Sequence, residues 1–136
     1  MKIKNAMILV VLVLGNALAA MANADIYVIA NPSVDISAES LRDVFLGEKL
    51  MATGVKLVPV DNAVSQAEFL TKVILMDQSK YTAIWTKKGF RDGLNPPDIK
   101  PSDADILTFV RKTPGAIGYI GAMPGSASGF KIIKKF

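Results

Sequence analysis

The fold of this chain is decided by residues 57–70, whose sequence is LVPVDNAVSQAEFL. Residues 57–60 predict a short buried strand, residues 61–64 a turn, and residues 65–70 the start of an amphipathic helix. A strand that leads into a helix through a short turn is typical of α/β proteins. The helix start also aims free backbone N–H groups, and the positive end of the helix dipole, at one point.

Two interpretations of that helix start compete at Ser65. The free N–H groups and the Ser65 hydroxyl favour an anion site, as at other helix N-termini. The spacing Ser65-x-x-Glu68 is, in contrast, that of a capping box, in which the two side chains satisfy these donors themselves. The sequence leaves both interpretations open.

Outward from this segment the chain continues to alternate between strands and helices. Strands are predicted over four stretches: residues 26–30, 55–60, 116–120 and 130–134. Helices are predicted over four others: from the N-cap Ser37 to Gly47, over residues 65–76, over residues 79–88 with Gly89 as C-cap, and from the N-cap Ser102 to Lys112. Residues 91–101 are predicted to be a turn-rich segment. The pattern predicts a single α/β domain.

The first 24 residues are predicted to be a cleavable signal peptide. Lys2 and Lys4 precede an apolar run over residues 6–14, and Ala22-Asn23-Ala24 is a small-residue cleavage site. The run is shorter than the roughly 20 residues that a membrane span needs. We therefore expect a periplasmic domain over residues 25–136 that is not membrane-embedded and has no nucleic-acid partner. Without the two signal lysines, its charge is 14 − 12 = +2.

The composition gives catalysis and metal binding little support. The chain has no histidine and no cysteine, so the usual general base near neutral pH, a thiol nucleophile and the usual zinc ligands are all missing. Asp98, Asp103 and Asp105 do not have the spacing of a calcium-binding loop. The expectation is a protein that is not an enzyme, with no catalytic residue, metal or cofactor.

Four groups of residues resemble the motifs of one known family. The residues are DISAESLRDVFLG at 35–47, Pro59-Val60 followed by Ser65 and Phe69, Tyr81-x-x-x-Trp85 with Phe90 and Pro96-Pro97, and TPGAIGYI at 113–120. They are similar to the family segments "S…L..IF.G", "PV.R…SGT…F" and "PGAIGYV", and to the spacing in its short members. Through these motifs, the chain resembles phosphate-type ABC-transporter substrate-binding proteins over nearly all of residues 25–136.

This resemblance implies both a fold and a function. The implied fold is one lobe of a periplasmic binding protein, a three-layer α/β unit with a mixed sheet flanked by helices. The implied function is weak, non-catalytic binding of phosphate or a similar oxyanion, linked to phosphate ABC transport through a membrane permease. The family binds its ligand between two lobes, and this chain has room for one. A homodimer, an envelope protein partner or shallow binding on an exposed face would then be needed.

At the implied site the chain departs from the family pattern. Ser65 matches the serine of the family's Ser-Gly-Thr, but Gln66 and Ala67 replace its glycine and threonine, and Asp61-Asn62 stands where the family has an arginine. At 4 Å, two like charges repel by roughly 4 kcal/mol at an effective dielectric of 20. The alternative function is therefore an envelope protein–protein interaction module that keeps the lobe fold and has lost the anion site.

The predicted oxyanion site consists of Ser65, Gln66 and Ala67, joined by two residues from the end of the first strand, Asn31 and Ser33. The reason for adding this pair is that open α/β sheets bind ligands at the carboxyl ends of their strands. A turn role explains Asn-Pro-Ser equally well.

Two further side-chain groups have a functional and a structural interpretation. Lys87, Lys88 and Arg91 near Phe90 could face an anionic partner, but favourable charge at a helix C-terminus is the preferred explanation. Tyr81 and Trp85, one helical turn apart, are expected to pack in the core rather than to stack on a ligand.

Overall fold

The computed structural model describes residues 24–136. The strands are β1 Tyr27–Ala30, β2 Met51–Ala52, β3 Val55–Lys56, β4 Val58–Asn62, β5 Asp98–Lys100, β6 Ala116–Ile120 and β7 Lys131–Lys135. The helices are α1 Leu41–Phe45 after a 3-10 turn at Ala38–Ser40, α2 Gln66–Phe69 continued by a π-helical turn at Leu70–Ile74, α3 Gln78–Asp92 and α4 Asp103–Lys112. No helix in this part of the chain is long and apolar enough to cross a membrane. The predicted signal peptide lies outside the described residues, apart from Ala24.

Five of the strands form one mixed sheet, in the order β5-β4-β6-β1-β7. Strand β4 is parallel to both of its neighbours, whereas β1 is antiparallel to β6 and β7. Strands β2 and β3 form a separate two-stranded hairpin. The carboxyl ends of β4 and β6 therefore lie at one end of the sheet, and the carboxyl end of β1 lies at the other.

Apolar side chains from the two faces of the sheet form two cores. Because successive residues of a strand point to opposite faces, Val28 and Ala30 of β1 enter one core and Ile29 enters the other. The larger core packs against α1, α2 and α3, and the smaller one packs against α4. The predicted α/β fold, a mixed sheet between helical layers, is confirmed.

The glycines of TPGAIGYI have a packing role. Gly115 has a φ of +83°, and a Cβ atom added to it would lie 1.9 Å from the carbonyl oxygen of Lys56. At Gly118, an added Cβ would lie 2.9 Å from Ile106 and 3.1 Å from Val60. The turn before β6 can lie this close to β3, and β6 itself to β4 and α4, only because these two positions carry no side chain.

Strand β4 continues further than predicted. The predicted strand over residues 55–60 is interrupted at Leu57, whose N–H donates to the carbonyl of Leu50. It then extends through Asp61 and Asn62, so the turn predicted at those two residues is wrong. The physical reason is that both side chains have distant partners inside the protein, which a local pattern does not show.

The ends of two helices and the presence of one strand also differ from prediction. The helix predicted over residues 65–76 begins at Gln66, widens into a π turn, and ends at Leu75, which has a φ of +62°. Helix α3 runs through Gly89 and is capped by Gly93, with a φ of +66°. Strand β5 lies within the predicted turn-rich segment.

Tyr81 and Trp85 are core residues, as predicted. Both are buried, and the indole N–H of Trp85 donates to the carbonyl of Phe45 at 3.1 Å. This bond ties α3 to α1.

Candidate functional site

A carboxylate is buried at the end of β4. Asp61 is only 1% exposed, and its two oxygens accept hydrogen bonds from Tyr81 Oη at 2.9 Å and from Tyr119 Oη at 2.8 Å. Alternation along β4 points Asp61 into the larger core, because Val60 points into the smaller one. A carboxylic acid is therefore buried between the sheet and the helices, next to the predicted oxyanion site. Both of its hydrogen-bond partners are neutral phenols.

Burial dominates the electrostatics of this cluster. Removal from water raises the pKa of Asp61, and the hydrogen bonds from Tyr119 and Tyr81 offset part of that rise. Burial also raises the pKa of Tyr81 and of Tyr119, and the neighbouring Asp61 charge raises both further. The two phenols consequently remain protonated donors over the whole neutral range.

A small cleft opens above this cluster. It measures about 310 Å³ and lies between α3 and the segment that leads into β5. Its polar lining includes Asp61, Gln66, Gln78 and Tyr81, and its apolar lining includes Trp85, Pro96, Pro97 and Ile99. The Nε2 of Gln78 donates to the Oε1 of Gln66 at 3.1 Å, which links α3 to α2 at the cleft.

Ser65 lies immediately before α2, and its side chain is not a helix cap. Its backbone N–H donates to the Asn62 carbonyl at 3.2 Å, and its own carbonyl accepts from Phe69 N at 2.9 Å. The hydroxyl is buried and has no hydrogen-bond partner among the described residues. Glu68 pairs with Lys72 at 3.2 Å instead. The capping-box interpretation is therefore wrong, and Ser65 Oγ is left as an unused buried donor.

The loop before α2 is held by Asn62. The side-chain oxygen of Asn62 accepts from Val64 N at 3.1 Å, and its amide donates to Asp103 Oδ1 at 2.7 Å and to the carbonyl of Tyr119 at 3.0 Å. The other oxygen of Asp103 accepts from Gly121 N and Ala122 N. The backbone donors at the end of β6 are thus already bonded to an internal carboxylate.

Asn31 and Ser33 lie at the opposite end of the sheet from Ser65. The Asn31 amide donates to the carbonyl of Val110 at 2.9 Å, and Ser33 Oγ accepts from Gly115 N at 2.8 Å. The expectation that this pair joins Ser65 assumed that the carboxyl ends of β1 and β4 coincide. Because β1 runs antiparallel to β6, and β6 parallel to β4, the structure does not bring the two groups together.

The other two predicted site residues remain next to Ser65. Gln66 is buried with its side chain on the cleft, while Ala67 is exposed at the first turn of α2. No group of acids in the described part of the chain could hold a metal ion.

The Asp61 cluster is the feature that sequence reasoning missed. Its members are 20 and 58 residues apart. One signal was present: Asp61 follows the apolar run directly, so that continuing the strand by one residue places a carboxylate on a buried face.

Comparison with solved structures identifies the fold. An ABC-type phosphate transport receptor from Vibrio cholerae is 14% identical, with a TM-score of 0.49 over 82% of this chain. PstS from Borrelia burgdorferi is 17% identical, with a TM-score of 0.48 over 72%. A protein from Clostridium perfringens described as a phosphate ABC transporter substrate-binding protein, with bound phosphate, is 18% identical, with a TM-score of 0.50 over 82%. The last match gives the fold.

This chain has the fold of one lobe of a substrate-binding protein. It spans 46%, 41% and 45% of the three matched chains, which is less than half of each. No protein-family model and no curated protein matches it. The fold that the sequence resemblance implies is confirmed. A match at 18% sequence identity shows the fold alone.

Proposed function

We propose that this protein is an exported, non-catalytic binding lobe for a small oxyanion, with phosphate as the first candidate. The observation that carries the proposal is the Ser65 hydroxyl, which is buried at the start of α2 without a partner. A buried polar group without a hydrogen bond costs about 1–3 kcal/mol, and an oxyanion oxygen would supply the missing acceptor. The backbone N–H groups of Gln66 and Ala67 are the other proposed donors.

The structure supports weak rather than tight binding. Helix α2 has one regular turn before it widens, so few aligned peptide dipoles act at its start. Gln66 and Ala67 offer neither the bare backbone of a glycine nor a second hydroxyl. The Asp61 carboxylate, near the same helix start, disfavours an anion whenever it is ionised.

Phosphate is the first candidate because one structure with this fold contains bound phosphate. We further propose that the chain acts in the periplasm and delivers its ligand to a membrane permease. Both statements extend the resemblance to this chain.

Calorimetric and thermal-shift titrations with phosphate and sulfate test the proposal. A ligand at 100 times its dissociation constant adds about 2.7 kcal/mol of stability. We expect this stabilisation in the millimolar range, and we expect Ser65→Ala to weaken it. The matched control is Ser79→Ala, at an exposed position of α3, which should bind the anion as the native chain does. Failure of every oxyanion to stabilise the native chain at millimolar concentration would contradict the proposal.

A second candidate is an envelope protein–protein interaction module. It is favoured by the buried Asp61 and by Val64, an apolar residue next to Ser65 that is 75% exposed. Under this function, the native chain and Ser65→Ala would respond to phosphate equally little, while both remain folded.

A further inference from the structure

A second concave surface lies on the side of α3 away from the cleft. It measures about 330 Å³ and separates α3 from the residues that follow α1. We call it the α3 groove, and it is lined by Leu46, Glu48, Lys80, Ala83, Ile84, Lys87, Lys88 and Arg91. Positions 80, 84, 87 and 91 recur at helical spacing, so they form one continuous face. None of the proposed oxyanion-site residues lies here.

The α3 groove carries an excess of positive charge. Four cations line the groove, and three acids adjoin them, Glu48, Asp77 and Asp92, so the local sum is 4 − 3 = +1. Lys88 is 5% exposed and binds Glu48 at 2.7 Å, and Arg91 binds Asp92 at 3.0 Å. Within residues 24–136, Lys80 and Lys87 form no ion pair and are exposed.

The helix dipole explains only part of this charge. Lys87 and Arg91 lie near the C-terminus of α3, where cations are favourable. Lys80 is the third residue of the helix, where a cation is unfavourable. The carboxylate of the N-cap Asp77 accepts from its backbone N–H, but the Lys80 side chain forms no ion pair within residues 24–136 and extends the same basic face. The pattern along the whole groove therefore points to an external anion rather than to helix stabilisation alone.

The groove also has an apolar component. Leu46, Ala83 and Ile84 contribute apolar surface to it. The pair of Lys88 and Glu48 shows that a carboxylate from outside α3 already binds at this surface. A concave surface receives protruding side chains better than it receives a flat bilayer.

We propose that the α3 groove binds an acidic segment of a partner protein. Carboxylates of that segment would pair with Lys80 and Lys87, and an apolar side chain between them would contact Ala83 and Ile84. This inference is independent of the oxyanion site, because the two surfaces share no residue.

The experiment uses a labelled 14-residue peptide in which glutamates and leucines each recur one helical turn apart, with a glutamine-for-glutamate version as the reference. Binding is followed by fluorescence anisotropy at low salt and mapped by amide chemical shifts. We expect the acidic peptide to bind and to shift residues 80–91. Lys80→Gln with Lys87→Gln should weaken binding about five- to tenfold. Lys112→Gln with Lys131→Gln removes the same charge from exposed positions elsewhere and should leave binding unchanged.

Three results would overturn the proposal. One is that the acidic and glutamine peptides bind equally well, or that neither binds up to about 1 mM, the range of weak association. Another is an equal loss in both lysine pairs, which would indicate unspecific charge attraction. The third is binding to vesicles of phosphatidylglycerol, but not to the peptide, with the same dependence on Lys80 and Lys87, which would assign the surface to a membrane.

Discussion

Asp61 sets the electrostatics of this lobe at the scale of a single residue. Its carboxylate is buried, and its two phenol partners are neutral, so no opposite charge among them compensates for the lost hydration. The raised pKa means that the folded protein binds this proton more tightly than the unfolded chain does. The associated stability is present at low pH and is lost as the pH rises through the folded pKa.

Asp61→Asn tests this linkage. We expect the free energy of unfolding of the native chain to fall, relative to that of Asp61→Asn, as the pH rises from about 4 to about 7. Urea unfolding across that range measures the difference, in which the contributions of all other groups largely cancel. A difference that stays constant, or that grows with pH in favour of the native chain, would show that Asp61 is stabilised as a carboxylate.

Two serines at helix starts make opposite predictions for stability. Ser102 caps α4 and accepts from Asp105 N at 3.3 Å, whereas Ser65 Oγ has no partner. Ser102→Ala should therefore cost about 1 kcal/mol, the usual value for a lost cap. Ser65→Ala should cost nothing measurable in the absence of ligand. Thermal unfolding of both variants checks this. A loss of stability in Ser65→Ala as large as that in Ser102→Ala would show that the Ser65 side chain caps α2 after all.

At the scale of elements, the Pro-Gly turn into β6 holds the sheet together. Gly115 and Gly54 have similar positive φ values, +83° and +79°, but only Gly115 has a backbone neighbour where a Cβ would lie. Gly54→Ala should cost about 1 kcal/mol for the left-handed conformation alone. Gly115→Ala should cost clearly more, because the backbone of Lys56 in β3 must move away from the turn. Chemical denaturation measures both, and equal costs would contradict the packing role of Gly115.

Local patterns predicted the elements whose determinants are local. Strand β6 carries continuous apolar residues between turn signals, and α4 has both its cap and its helical periodicity in the sequence. The sequence pattern predicts too early an end for strand β4, because Asp61 and Asn62 resemble turn residues. Their partners Tyr81, Tyr119 and Asp103 come later in the chain, and no local rule connects them.

The candidate site was predictable at Ser65 and not at Asn31. The helix start at Ser65 follows from the local pattern. Its grouping with Asn31 depends on the direction of β1, which is set by long-range pairing with β6. Sequence periodicity gives the faces of a strand but not its direction in the sheet.

At the scale of the whole molecule, one lobe carries two separate surfaces. Helix α2 begins near the carboxyl ends of β4 and β6, and the groove lies along the outer side of α3. Both α2 and α3 pack on the larger core, on the same face of the sheet. We therefore expect changes at Lys80 and Lys87 to leave oxyanion binding unchanged, and Ser65→Ala to leave peptide binding unchanged.

Amide chemical shifts during a phosphate titration test whether an oxyanion binds at the start of α2. We expect the amide signals of Gln66 and Ala67 to move saturably and to move less in Ser65→Ala, while those of α4 stay in place. Stationary signals at residues 65–67 up to millimolar phosphate, or shifts confined to residues 80–91, would contradict this expectation.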